Sequence, residues 1–213
     1  MNKQTRRERE QQERQEIILT KAEELFCRYG FEKASMDDLA REAEFTKRTI
    51  YRYFTCKEDL YYAVALRGNE RLFELVTSES SKGATGFDRI RSACYAYYRF
   101  FRENPKRMQL ITTGELIKTE APEAEMPYRQ RFLASDQRLF GALLRLFYDG
   151  KADGSLRADV DIAQLAVSTI FTATGFFQML SLSGSSYAAH FSLDEEGFIT
   201  FTLERLLDTL RSR

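Results

Sequence analysis

Residues 35–57, SMDDLAREAEFTKRTIYRYFTCK, constrain the fold of this chain more than any other segment. They hold a two-turn helix signal, a break, and a second helix whose outer face is basic and aromatic. Ser35 and Asp38 form an S-x-x-D start, and Met36, Leu39, Ala40 and Ala43 make a short apolar stripe. Thr46 is placed to cap the second helix, where Ile50, Tyr53 and Phe54 recur at i, i+3 and i+4 and so turn inward. Lys47, Arg48, Tyr51 and Arg52 are left facing out, with Lys57 close behind. Between Thr46 and Lys57 there are four basic residues and no acidic one. Two helices joined by a tight turn, the second carrying cations and a tyrosine, are how a helix-turn-helix addresses a major groove.

Helical periodicity fills the rest of the chain, and no segment sustains period-2 alternation. A first helix is expected from about residue 10 to Tyr29, with Gly30 as a left-handed C′ residue and Phe31 folding back on it. Lys57-Glu58-Asp59 opens a long fourth helix that SSKGATG (80–86) ends. A fifth covers 87–103 and stops at Asn104-Pro105; a sixth covers about 106–119. APEAEMP (121–127) reads as a loop or short helix. A seventh runs over about 128–148 into the turn cluster DGKADGS. The eighth starts near Asp161 and reaches Leu182, SGSSYAAHFS is a loop, and the ninth covers 194–211. The expected fold is therefore all-α, with about nine helices. A three-helix helix-turn-helix domain (1–60) joins a larger helical bundle (61–213), the boundary falling inside the fourth helix.

Charge matters here by position. Lys plus Arg and Asp plus Glu both number 32, and residues 1–60 hold 13 of each sign. A neutral chain has no general attraction for polyanions, so a nucleic-acid site must be a local patch. No run of 18 apolar residues suggests a membrane span, and the charged N-terminus lacks the apolar stretch of a secretory signal. Cys27, Cys56 and Cys94 are scattered, and His190 is the single histidine. Neither a disulfide framework, a metal site nor a Ser-His-Asp arrangement is indicated. The expectation is a cytoplasmic chain without cofactor, metal ligands or catalytic residues.

GFEKASMDDLAREAEFTKRTIYRYFTCKEDL, residues 30–60, resembles the N-terminal DNA-binding segment of the TetR family of bacterial transcriptional regulators. The later helix lengths and DGKADGSLRADVD are similar to the rest of such a chain. The resemblance implies that Thr46, Lys47, Arg48, Thr49 and Tyr51 lie against a double-stranded operator, with Lys57 reaching a phosphate. Ser35 and Arg52 complete the candidate DNA contacts. Lys47 and Arg48 are long enough to reach guanine O6 and N7, and hydroxyls near a helix start suit phosphate oxygens. The competing reading of this stripe is an ordinary solvated face. Arg6, Arg7 and Arg9 form either a basic arm or a salt-bridged, frayed helix start. Two departures stand out: Glu44 occupies the turn position where the family usually has Gly, and Cys56 takes the place of the usual Ser or Asn cap. Asp37 is expected to point away from DNA.

Beyond residue 60 the chain carries 13 Phe and 8 Tyr, most of which must be ordinary core. Candidate ligand-binding residues are Tyr97, Tyr98, Phe101, Met108, Ile111, Glu115, Phe140 and Phe177, lining an apolar pocket of the kind small effectors occupy. Any single one of the aromatics reads more readily as core than as pocket; the pocket reading belongs to the group. Glu115 is either an edge residue or a pocket group, and Arg99 and Arg129 are weaker partners for a ligand carboxylate. The sixth helix is apolar nearly all round and should be buried. Ser168, Thr172, Gly175 and Met179 form a small-residue row on the eighth helix, and the leucines at 203, 206, 207 and 210 stripe the ninth. These point to a homodimer through about 161–182 and 194–211, the alternative being packing within the chain. The resulting expectation is a homodimeric, ligand-responsive regulator, most simply a repressor of a palindromic operator. Its rival is a DNA-binding architectural or protein-docking factor with no small effector.

Overall fold

A computed structural model describes residues 5–114, 126–183 and 186–212. Among them lie ten helices and no strand: α1 (Arg6–Lys33), α2 (Met36–Glu42), α3 (Lys47–Tyr51), α4 (Lys57–Ser80), α5 (Gly86–Glu103), α6 (Pro105–Thr113), α7 (Pro127–Ala152), α8 (Ile162–Ser183), α9 (Ser186–His190) and α10 (Glu195–Asp208). These are the nine expected helices plus the five-residue α9, which occupies the segment expected to be a loop. One isolated antiparallel bridge pairs Leu156 with Arg211.

The chain divides into two compact units, Met1–Gly68 with Thr113–Ala134, and Asn69–Thr112 with Ser135–Arg213. This differs from a cut at residue 60, for a packing reason. The first turns of α4 send Leu60, Tyr61 and Val64 inward. The Tyr61 ring meets Phe26 of α1 edge-on at 5.3 Å, and Phe132 of α7 lies 5.8 Å from the Tyr62 ring. Chain order is therefore not packing order.

In the first unit, α1 starts earlier than periodicity indicates, because Thr5 and Glu8 close a capping box. Arg6, Arg7 and Arg9 are thus helical, and Arg6 pairs with Glu10 at 2.9 Å, the second of the two readings of that stretch. Ile18, Ala22, Leu25 and Phe26 form the buried face. Gly30 has φ 75° and ψ 171°, open to glycine and costly for other residues, and it kinks the helix there. Phe31 beyond the kink stacks edge-on to Tyr61 at 5.2 Å. Arg67 of α4 donates to Glu23, to Leu19 O at 3.2 Å and to Glu16 at 3.4 Å, tying α4 to α1. Buried Asp59 accepts from Tyr128 N–H at 2.9 Å, satisfying an orphan donor in the first turn of α7. Burial raises its carboxyl above the ordinary value, opposed by that hydrogen bond.

In the second unit, Phe87, Ile90, Phe147, Leu156, Ile162, Ala166, Leu207 and Leu210 share one core. α5 is opened by a Thr85–Asp88 capping box and closed at Asn104; Pro105 then starts α6, whose Met108, Leu110 and Ile111 are buried as expected. α7 outlasts its expected end because Gly150 lies against Gly86, where a Cβ on Gly86 would meet Gly150 Cα at 2.2 Å. Asp153 then accepts from Gly86 N–H at 2.6 Å and from Ser155 N–H at 2.9 Å, pinning the turn to the start of α5. Asp161 opens α8, accepting from Gln164 N–H at 2.8 Å.

Candidate functional site

Between α2 and α3 the chain turns in four residues. Ser35 caps α2 by accepting from Asp38 N–H at 3.1 Å, and Thr46 caps α3 by accepting from Thr49 N–H at 3.2 Å. The turn is closed through Glu44 at φ 58°, so the left-handed geometry is kept without glycine. For a non-glycine residue that costs roughly 1–2 kcal/mol. Ile50 and Phe54 are 0% exposed, and they orient everything else on α3. Lys47, Arg48, Tyr51 and Arg52 are all exposed, Tyr51 at 47%, while Tyr53 is half-buried rather than fully inward. Thr46 is exposed, and Ser35 and Thr49 are half-buried.

Lys47, Arg52 and Lys57 have partners. Lys47 Nζ lies 2.9 Å from Asp37 Oδ1, which corrects the expectation that Asp37 points away: the first turn of α2 faces the start of α3. Opposite charges across a four-residue turn were the available signal. Arg52 lies over the Tyr53 ring, 5.3 Å from its centroid. Lys57 rests over Phe31 at 4.3 Å and donates to Glu32 O at 3.4 Å. Cys56 does stand at the cap of α4, its sulfur accepting from Asp59 N–H at 3.3 Å. Burial pushes its thiol pKa up, so it is not an activated thiolate.

The second unit encloses an apolar cavity of about 40 Å³, lined by α4, α5, α7 and α8. Tyr97 and Phe177 are the two candidate ligand residues that line it. Others on its wall are Ile90, Cys94, Phe147, Thr169 and Ala173, which periodicity alone marks only as core. Thr169 and Thr174 spend their hydroxyls on Leu165 O at 2.7 Å and Ile170 O at 2.8 Å, so the wall is apolar despite them. Burial lifts the Cys94 thiol to about 12 and also pushes the Tyr97 phenol up, with Asp136 adding to the latter.

Tyr98 and Phe101 pack on Phe177 from outside the cavity wall, at 6.1 and 5.4 Å. Met108 and Ile111 are buried and Phe140 is half-buried, none of them lining the cavity. Glu115 lies outside the described residues. Arg99 pairs with Glu79 at 2.9 Å on an exposed face, and Arg129 lies 5.9 Å from the Tyr62 ring centroid in the first unit. Neither lines the cavity.

α8 and α10 are not covered. Val167, Phe171, Met179 and Leu182 are exposed along α8, beside the expected row of Ser168, Thr172 and Gly175. Leu203 and Leu207 of α10, and Leu210 just beyond it, are instead buried in their own unit, and α10 presents Phe201 outward, 65% exposed. α8 is long and apolar enough to cross a membrane by length and composition, yet only 22% of its apolar window is buried. No unbroken apolar run exists there; the polar positions are threonines, serines and glutamines scattered among apolar ones.

A capped helix pair with a tight turn and an exposed cationic second helix define a helix-turn-helix, in a chain that also holds a separate helical unit. Residues 18–64 match the model of the bacterial regulatory proteins of the tetR family. A curated relative, the HTH-type transcriptional activator FasR of Mycolicibacterium smegmatis, is 29% identical over 105 residues, 49% of this chain and 48% of that protein. The chain thus spans about half the length of that relative. The fold is that of a regulatory protein in the tetR family from Rhodococcus RHA1, TM-score 0.71 at 17% identity, covering 94% of this chain and 98% of the other. FadR from Bacillus subtilis, solved in complex with stearoyl-CoA, has the same fold at TM-score 0.71 and 16% identity, over 92% and 98% of the two chains. Residues 18–64 are thus similar to the tetR family of bacterial regulatory proteins, and the fold is shared with solved proteins of that family.

Proposed function

We infer that this chain is one subunit of a cytoplasmic, homodimeric regulator that binds a palindromic operator and leaves it when a small apolar effector binds. The observation that carries the reading is the sidedness of α3, with Ile50 and Phe54 fully buried and Lys47, Arg48, Tyr51 and Arg52 exposed. Ser35, Thr46 and Thr49 add hydroxyls for phosphate oxygens, and Lys57 is a further cation at the start of α4. A single short helix specifies too little sequence, and a two-fold dimer places a second one about 34–36 Å away. The apolar stripe of α8 together with Phe201 is the surface a second copy would cover. The buried face of α8 is already committed to its own core, so only the exposed face is left for a second copy.

The effector reading rests on the cavity. A wall without charge suits an apolar or aromatic group, and the stearoyl-CoA bound to a protein of this fold makes an acyl chain a reasonable probe. A 40 Å³ cavity admits only a few atoms, so a larger effector must select a more open form. Release follows only if that form suits the operator less well. We read the outcome as repression.

Selection from random duplex DNA tests the proposal. An enriched inverted repeat, with half-sites about 10–10.5 bp apart centre to centre, is the expected result. Arg48→Ala should then weaken operator binding by about 1–3 kcal/mol. Enrichment of no duplex, or affinity indifferent to Arg48, would sink it. Thermal-shift measurement with acyl-CoAs and small aromatics, followed by DNA release, separates this reading from a docking factor with no effector.

A further inference from the structure

We propose that Asp37 is a specificity-determining residue that withholds the Lys47 cation from DNA phosphates and so depresses non-specific binding more than operator binding. The inference rests on the DNA-binding reading above. Lys47 Nζ is 2.9 Å from Asp37 Oδ1 and 3.1 Å from Oδ2, so the ammonium straddles both carboxylate oxygens. The neighbouring acid is differently employed: Asp38 accepts from the Ser35 hydroxyl and from Arg41, and its own N–H donates to Ser35 Oγ, which leaves Asp37 to α3. Both ends of the pair are solvated, with side-chain exposures of 50% and 73%, so the pair is labile and in reach of a duplex facing α3.

The differential effect follows from what each mode of binding uses. Non-specific affinity is almost wholly charge and counterion release, and a lysine paired with a carboxylate contributes less of it. Operator recognition also uses hydrogen bonds to base edges. An ammonium has three donors, so Lys47 can keep one on Asp37 and give another to guanine O6 or N7 without a net charge. A carboxylate only accepts, and phosphates, N7 and O6 only accept too. Asp37 therefore penalises every register except one that offers an amino group, such as cytosine N4, beside it.

The test is a salt series of dissociation constants on the selected operator and on random duplex. It is run for the parent dimer, Asp37→Asn, Lys47→Met and the double variant. Releasing Lys47 adds about one phosphate contact, so Asp37→Asn should steepen the non-specific slope of log K against log salt by about 0.9. At 0.1 M salt that is about an eightfold gain in non-specific affinity. Operator affinity should change by less, and the specificity ratio should fall several-fold. In the Lys47→Met background the Asp37 effect should vanish. An unchanged non-specific slope, or an Asp37 effect that survives without Lys47, overturns the proposal. Asp37→Ser provides the same charge removal if Asn perturbs the first turn of α2, and melting curves reveal such a structural effect because it would not alter the salt slope. Failure of the parent protein to select any duplex is a different result and removes the DNA-binding reading itself.

Discussion

Two single residues carry features that chemistry alone makes measurable. Glu44 holds φ 58° in the helix-turn-helix turn, a geometry that costs a β-carbon roughly 1–2 kcal/mol. Glycine relieves that strain but loses more backbone entropy on folding, about 0.5–1 kcal/mol. Glu44→Gly should therefore stabilise the protein by about 0.5–1 kcal/mol, read from the denaturant midpoint at unchanged slope. A loss of stability would mean that the Glu44 side chain contributes something beyond its backbone. Asp153 is the second. The Ser155 hydroxyl first, then the Gly86 and Ser155 N–H groups, hold its carboxyl below the usual 3.8. The folded form thus favours the ionised acid, and the stabilisation is complete above pH 3.8 and lost as pH falls through the lowered folded value. Asp153→Asn should lower the melting temperature at pH 7 and flatten its decline below about pH 4. A melting profile parallel to the parent's at every pH would show that Asp153 ties nothing down.

Among the elements, α8 is the one whose two faces conflict most with water. One side carries Ile162, Ala166, Phe177 and Leu180 into its own core, and the other exposes Phe171 at 68%. Phe171→Glu should leave helicity unchanged and shift sedimentation from dimer toward monomer; a parent that is monomeric at all concentrations would refute this role for α8. α3 shows the converse. Five residues are too few for a helix to persist by propensity, and it stands only because Thr46 caps it and Ile50 anchors it. Ile50→Ala should cost about 2–5 kcal/mol, measured by chemical denaturation.

For the molecule as a whole, net neutrality makes the ionic-strength response diagnostic. If each subunit of a dimer neutralises about four phosphates, log K for the operator should fall against log salt with slope near −7. A slope shallower than about −2 would remove the phosphate contacts. The cavity offers a second whole-molecule measurement. Ala173→Val adds two methyl groups to an apolar space and should raise stability by about 0.5–1 kcal/mol while abolishing stabilisation by any effector.

The order of the helices, the caps at Ser35, Thr46 and Asp161, and the outward set on α3 were legible in the chain. They depend on local periodicity and on hydrogen bonds three residues apart, both written in consecutive residues. Position 44 could be flagged from its neighbours, but whether it would bear a positive φ depended on how α2 and α3 pack. The Asp37–Lys47 pair, the placing of 126–134 beside the first helices and the cavity wall depended on distant segments meeting. So did the inward turn of the α10 leucines: a stripe at helical spacing says that a face is buried, but only the tertiary arrangement decides against what. Sequence by itself determined which surfaces must leave water; long-range packing decided which of them found a partner within the chain and which, along α8, still need one.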